Sequence, residues 1–503
     1  MSAAPDALVE INPARGQAEY SRHIFGHFIE HFHRQIYGGI FEPGSPLADD
    51  RGFRLDVLDA LRELRVPNVR WPGGCFVSTY DWLDGIGPDR KPTFDPAWRV
   101  TDPNTFGTDE FIEWCTALGA DPYICTNAGT GTPQDMAAWL EYTNRPVGSR
   151  WANLRAENGH IEPFGVPFWS IGNENYGDWE LGAKTATEWA AFVTESAKLM
   201  LRVDPDISVM AAAFEDKDWI LPMLGQAGRY LTYISIHGYW DKLHEINSPT
   251  SYLGAMSKTT GPEEQIGLVR AMIEVSGQHH VKIAFDEWNL RGWHHPVGNT
   301  PEAIAARDLN DDNSTYTMAD AIFAASFLNS CLRNSDRVAM ANLAPTVNTR
   351  GPLFVHPDGV VKRTTFHVMQ MYANLLGPRA LDTAVHSRSL ETGFTPVPLV
   401  DAIATADDDG TTVVLVNKSD VNAATVRVRI DGVALSGDLS AVVLDGPDPD
   451  AYNDVENPDR VKPRQTVLRF SDGLVSLPPH SITFATAPGT TVDAADFGWT
   501  LGR

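Results

Sequence analysis

Eight short apolar runs, each followed by a longer amphipathic stretch, constrain this chain more than any other feature. They fall at residues 24–30, 68–72, 123–127, 168–172, 208–212, 233–237, 282–286 and 338–343. Their length and their β-branched and aromatic content mark them as strands. Between them, segments such as 55–64, 111–118, 186–201 and 262–275 carry apolar residues at helical spacing. Strands alternating with helices build βα units with parallel strands, and eight such units predict a closed (β/α)8 barrel.

The end of that barrel is legible. Val368, Met371, Tyr372 and Leu375 share one helical face, and Gly377-Pro378 stops the helix. An earlier helix start is equally clear in Thr132-Pro133-Gln134-Asp135, with a hydroxyl N-cap, proline at the first helical position and an acid in the first turn. That punctuation leaves residues 127–131 as a βα loop. Beyond about residue 380 the pattern becomes short alternating strands with turn signals, at 411–416, 424–430, 440–444, 466–470 and 482–485. An all-β C-terminal module, a β-sandwich, is predicted. Proline, aspartate and asparagine crowd residues 445–463, which read as a loop, either ordered or flexible.

Charge narrows the range of partners. Forty basic against 65 acidic residues give a net charge of −25, which repels phosphate backbones and anionic lipid surfaces. Neither nucleic acid nor a membrane is an expected partner. No run approaches the ~20 apolar residues of a membrane helix. Residues 1–13 lack a basic segment followed by an apolar one, so a cytoplasmic location is expected. Cys75, Cys115, Cys125 and Cys331 form no CxxC pair and no metal-ligand spacing, in keeping with reduced thiols.

Barrel chemistry sits where strands end and loops converge, so polar residues closing an apolar run are candidates for function. Two motifs qualify: Gly172-Asn173-Glu174-Asn175 after the fourth run and Phe285-Asp286-Glu287-Trp288-Asn289 at the seventh. Their glutamates are 113 residues apart, a span that accommodates three βα units. Two carboxylates converging on one pocket are what glycosidic bond cleavage needs, one as proton donor and one as nucleophile or base. A retaining sugar hydrolase is the leading expectation. Other constellations are weaker. His27, His31 and His33, with His237, His294 and His295, fit no zinc spacing, and a retaining glycosidase needs no metal. Gly129-Thr130-Gly131-Thr132 lacks a P-loop lysine and the full dinucleotide fingerprint, so a tight βα loop is the better reading. No Gly-x-Ser-x-Gly elbow competes with the two glutamates. No cofactor is expected.

The chain resembles the α-L-arabinofuranosidases of glycoside hydrolase family 51. The resemblance runs through Phe25-Gly26-His27-Phe28-Ile29-Glu30, Arg70-Trp71-Pro72-Gly73-Gly74-Cys75-Phe76, Trp98, Phe106-Gly107-Thr108-Asp109-Glu110-Phe111, both glutamate motifs and Phe366-His367. It returns in Asn457-Pro458 and Leu477-Pro478-Pro479-His480-Ser481. It implies a (β/α)8 barrel at 21–378 followed by a jelly-roll-like β-sandwich at 379–503, which residues 1–20 join with one strand. It also implies a homo-oligomer, often a hexamer, acting on arabinose-containing oligosaccharides or related furanosides.

By motif position the resemblance makes Glu174 the general acid/base and Glu287 the nucleophile of a double displacement, with carboxyl groups roughly 5 to 5.5 Å apart. The ionised nucleophile would help the acid keep its proton. Asn173 is placed to bind the sugar 2-hydroxyl or is a turn residue. Glu30 is implied as a ligand for sugar hydroxyls, or is a surface carboxylate paired with Arg34. A buried Arg70 must pair with acids and would orient Glu30 or Glu287. Cys75 is either within reach of the sugar or a buried thiol. Tyr239 either donates to Glu287 or is structural, and Trp98 and Trp288 are candidates for sugar stacking or for the core.

Two positions depart from the family pattern. Asn342-Leu343-Ala344-Pro345 has proline where many members carry glutamine, and Asn289-Leu290-Arg291 has a guanidinium where many carry tryptophan. Both are expected to border the sugar, which keeps a β-D-galactofuranosidase open as an alternative specificity. A catalytically silent carbohydrate-binding protein is the alternative of another class.

Overall fold

The computed structural model describes residues 4–15, 18–242, 248–292, 300, 302, 311–408 and 410–487. Eight parallel strands close into a barrel: Gly26–Phe28, Asn68–Trp71, Asp121–Thr126, Phe168–Ile171, Ser208–Ala212, Tyr233–Lys242, Lys282–Gly292 and Val338–Leu343. They follow one another around the barrel in chain order, and the eighth closes on the first through Asn342↔Gly26 and Leu343↔His27. Helices cover the outside, among them Leu55–Glu63, Thr108–Leu118, Pro133–Asn144, Ala186–Val203, Gly261–Ser276, Met318–Arg333 and Thr364–Leu375. The start at Thr132 is a capping box: its hydroxyl accepts from the Asp135 amide while Asp135 accepts from the Thr132 amide at 2.9 Å.

The strand period decides what faces inward. Tyr123, Phe168, Met210, Ala284 and Met340 fill the barrel with an apolar plug, while Ile124, Trp169 and Ile234, one position along, pack outward in the main core. Above the plug the inward positions become polar: Arg70, Cys125, Ser170, Ser235, His237 and Asp286. An apolar floor beneath a polar layer supports a site at the C-terminal end and seals it from the opposite face.

The sixth and seventh strands run beyond the expected ends at 237 and 286. They continue to pair through Glu287↔His237, Asn289↔Tyr239 and Arg291↔Asp241. Polar side chains hide this extension from a hydrophobicity reading, but the ladder does not depend on them. The seventh strand also carries a β-bulge. Between Ala284↔Ser235 and Glu287↔His237 it advances by one residue more than its neighbour. Consecutive Asp286 and Glu287 therefore both point into the barrel, whereas Phe285 and Trp288 pack outward on Phe327. A short hairpin, Thr93–Asp95 with Val100–Asp102, follows the second strand and presents Trp98; the strand and helix pattern gave no sign of it.

The C-terminal module is one ten-stranded sheet wrapped around its own core of Val9, Ala404, Leu415, Val426, Leu439 and Phe470, among others. Strand Arg379–Ser387 turns the corner. Its first three residues pair with Val400–Ala406, and its remainder pairs with the N-terminal strand Ala7–Asn12. Arg333 of the barrel meets Asp401 of the sheet at 2.8 Å, and Lys418 reaches Thr259 at 3.0 Å, so buried charge as well as apolar surface joins the two units. Residues 445–463 form an ordered loop. Asn453 donates to Lys362 and Val461 carbonyls at 2.8 Å, and the Met318 amide donates to Ala451. Among the described residues no helix is long and apolar enough to cross a membrane.

Candidate active site

Glu174 follows the fourth strand in a turn that only particular residues permit. Gly172 has φ +69°, and a Cβ there would lie 2.1 Å from the Asn175 side chain. Glu174 itself has φ +44°, an uncommon conformation for a residue with a side chain and one found where geometry serves function. The result aims its carboxyl at the barrel axis, where Oε1 meets His237 Nδ1 at 2.8 Å and Oε2 accepts from Trp179 Nε1 at 2.7 Å.

Glu287 approaches from the seventh strand. Oε1 accepts from Arg70 Nη1, and Oε2 accepts from the Tyr239 hydroxyl at 2.7 Å. Side-chain atoms of Glu174, His237 and Glu287 all lie within 4.8 Å of one another. The glycine pair after the second strand makes room: a Cβ on Gly74 would sit 3.0 Å from Glu287 Oε1, and one on Gly73 would strike Glu30 at 2.2 Å.

Around this pair stands a buried frame. The Arg70 guanidinium is inaccessible to solvent; it meets Glu287, Asp286 at 3.3 Å and Asn173 Oδ1 at 2.8 Å. Burial alone would raise the Asp286 carboxyl, but Arg70, His237 and Ser235 outweigh it and hold it down at about 2. Burial would likewise discharge His237, yet the charge of Glu287 and its contacts with Asp286 and Glu174 hold the ring well above the ordinary histidine range. An imidazolium thus sits between the two glutamates. Glu30 accepts from Trp98 Nε1 at 2.8 Å and from the Phe76 amide at 3.0 Å. Burial, and then the charge of Glu287, push its carboxyl up to about 8. Near neutral pH it is a protonated acid, able to donate to a hydroxyl. The Cys75 thiol is pushed well above its ordinary value by burial and by Glu180, Glu174 and Glu30, so it too is a donor.

The structure therefore gathers Glu30, Arg70, Cys75, Trp98, Asn173, Glu174, Tyr239 and Glu287 in one place. Glu30 is buried and bonded to Trp98 rather than a surface carboxylate paired with Arg34, and Arg70 orients Glu287 and Asn173. Trp98 stacks on Phe32 at 4.0 Å and braces Glu30. Trp288 is a correction: alternation after the bulge turns it outward, 1% exposed and stacked 3.9 Å from Phe327, so it belongs to the core. Arg291 is another. It does not border a sugar but is buried, with Asp320 accepting from Nε at 2.9 Å and Nη2 at 3.0 Å and Asp241 accepting from Nη1 at 2.5 Å. Pro345 is buried behind a cis peptide bond with Ala344.

His237, which the spacing of the histidine set does not single out, belongs to the site. The signal for it was its place: an inward polar position two residues before Tyr239 on a strand end. His31 and His33 go elsewhere, to Asp102 at 2.6 Å and Asp311 at 3.1 Å, while His294 and His295 lie outside the described residues. The glycine loop at 129–131 is also explained, since Asn127 Oδ1 accepts from the amides of Gly129, Thr130 and Gly131 that would otherwise face an anion.

The chain matches two family models, Alpha-L-arabinofuranosidase 1 domain over residues 60–258 and Alpha-L-arabinofuranosidase C-terminal domain over residues 286–481. It is 32% identical to alpha-L-arabinofuranosidase C of Emericella nidulans, over 94% of this chain and 96% of that protein. It is 33% identical to the intracellular exo-alpha-(1->5)-L-arabinofuranosidase of Streptomyces lividans, over 94% and 74%. Among solved structures it is similar to the alpha-L-arabinofuranosidase from Thermotoga maritima in its arabinose complex, with a TM-score of 0.86 at 35% identity over 96% of this chain and 99% of that one. The paired glutamates, the barrel that carries them and these likenesses agree: the chain is a glycoside hydrolase and belongs to the α-L-arabinofuranosidases of glycoside hydrolase family 51.

Proposed function

We propose that the chain removes terminal α-L-arabinofuranosyl residues from small oligosaccharides by a retaining double displacement. The observation that carries the stereochemical reading is the proximity of the two carboxyl groups, one oxygen of Glu174 lying within 4.8 Å of one oxygen of Glu287. That spacing suits the roughly 5 to 5.5 Å of retaining enzymes and leaves no room for the water that inverting enzymes place between groups about 6.5–9.5 Å apart. Glu287, held by Arg70 and Tyr239, attacks the anomeric carbon. Glu174 donates its proton to the leaving oxygen, then takes one from water as the covalent intermediate is hydrolysed.

Asn173, fixed by Arg70, is aimed at the sugar 2-hydroxyl, and Glu30 and Cys75 supply further donors to the ring. Trp179 is half exposed beside Glu174 and Phe214 is 47% exposed nearby, so aromatic surface lies on the leaving-group side. The likeness to a protein solved with arabinose supports the sugar assignment. With Arg291 inside the fold, the galactofuranoside alternative loses one of the two departures that motivated it, the other being Pro345. A cytoplasmic place is supported by the relative named intracellular, and a homo-oligomer remains part of the reading. A panel of nitrophenyl furanosides and pyranosides tests it. The α-L-arabinofuranoside should be turned over fastest, with β-arabinose as the first-formed anomer excluded by NMR; a faster β-D-galactofuranoside or an inverted product overturns it.

A further inference from the structure

Glu180 is a further carboxyl in the pocket beyond Glu30, Glu174 and Glu287, six residues after Glu174 and only 4% exposed. Tight turns fold the loop back, with the Gly177 amide bonded to the Glu174 carbonyl at 2.8 Å and the Glu180 amide to the Gly177 carbonyl at 3.1 Å. Asn173 Nδ2 donates to Glu180 Oε2 at 3.2 Å, while Asn173 Oδ1 accepts from Arg70. With its oxygen and one N–H committed, the amide has a fixed orientation and a single N–H left for a substrate hydroxyl. A Glu180 oxygen, a Glu174 oxygen and the Cys75 sulfur also lie within 4.8 Å of one another.

We propose that Glu180 is a positioning residue of the hydrolytic reaction, which fixes the Asn173 amide and places a negative charge beside Glu174 that favours its protonated form. The proposal rests on Glu174 being the acid/base. A like charge at this distance disfavours ionisation of its neighbour. Burial pushes Glu180 up to about 7, with Ser78 and Cys75 opposing and the charge of Glu174 adding to it, so it gains its charge in the range where the acid must stay protonated. The other groups facing Glu174 are His237 and Glu287 from the sixth and seventh strands, Cys75, Tyr176 from the same loop and Glu215 after the fifth strand. Those facing Glu180 are Ser78, Cys75 and Glu174. All remain when Glu180 alone is changed.

E180Q keeps an acceptor for Asn173 and removes the charge. For an arabinofuranosyl disaccharide, whose leaving group needs protonation, the alkaline limb of kcat/KM should move about one pH unit lower. KM on the acid side should stay within about twofold, because the amide is still held. E180D keeps the charge but shortens the reach; it should leave the limb in place and raise KM roughly tenfold. An unmoved limb in E180Q, or an unchanged KM in E180D, overturns the corresponding half of the proposal. A pH profile of Glu174→Ala on a nitrophenyl arabinofuranoside, whose leaving group needs no proton, separates the two readings. If that variant keeps the wild-type alkaline limb, the acid/base assignment fails; if it loses the limb and E180Q does not shift it, the role of Glu180 alone fails.

Discussion

Nδ1 of His237 lies 2.8 Å from Oε1 of Glu174. The same atom is 3.7 Å from Glu287 Oε2, and the other ring nitrogen is 3.4 Å from Asp286 Oδ1. One imidazolium therefore ties Glu174, the proposed acid/base, to the strand of Glu287, the proposed nucleophile. It favours the ionised form of Glu174, the form that the proposed second step needs to accept a proton from water.

Replacing His237 by asparagine should lower kcat on the order of 10²-fold while changing KM only a few-fold, the signature of a group that acts on developing charge. The alkaline limb should move to higher pH, because the cation that favours ionised Glu174 is gone. Steady-state kinetics across pH on an unactivated arabinofuranoside measures both, and an unmoved limb would show the contact to be structural only.

Glu287→Ala should lose nearly all turnover, since the carboxylate proposed to attack the anomeric carbon is gone. Added azide should restore activity and release a glycosyl azide of inverted configuration, the small anion occupying the space of the lost carboxylate. In the wild type, a slow fluorinated furanoside should label the peptide that holds Glu287. Label on any other carboxylate would falsify the assignment.

Glu30 makes the fold pH-sensitive. Its folded value of about 8 is raised from an ordinary 4.5, so between those two values the folded state keeps a proton that the unfolded state has lost. Stability from this group is fully present below the ordinary value and falls as pH rises through about 8. Thermal melts at pH 5, 7 and 9 should show a steeper decline for wild type than for Glu30→Gln, which has no proton to lose. Parallel declines would place the ionisation elsewhere.

Arg291→Leu should destabilise the protein by about 3–5 kcal/mol, because Asp241 and Asp320 would be left buried and uncompensated. Denaturant unfolding measures the loss. The ratio of arabinofuranoside to galactofuranoside turnover should not change at a temperature where the variant is folded, since Arg291 does not face the pocket. A changed ratio would return it to the substrate site.

Much of this was written in the chain itself. Apolar runs and helical periods marked all eight barrel strands, because burial on both faces requires continuous hydrophobicity and the helices outside need one apolar face. The Thr132 cap and the Gly377-Pro378 stop mark helix ends, because backbone geometry there is local. The placement of Glu174 and Glu287 was legible because each stands where an apolar run ends, the place at which barrel strands deliver side chains to the loop face. The tertiary structure alone decided which neighbours of those glutamates face the pocket. A one-residue bulge turned Asp286 and Glu287 the same way and sent Trp288 into the core, and strand pairing beyond residue 286 carried Arg291 to Asp241 and Asp320. His237 and Glu180 gained their meaning from residues distant in sequence, for a proton's affinity depends on charges a few ångströms away in space, and only the closed barrel brings those charges together.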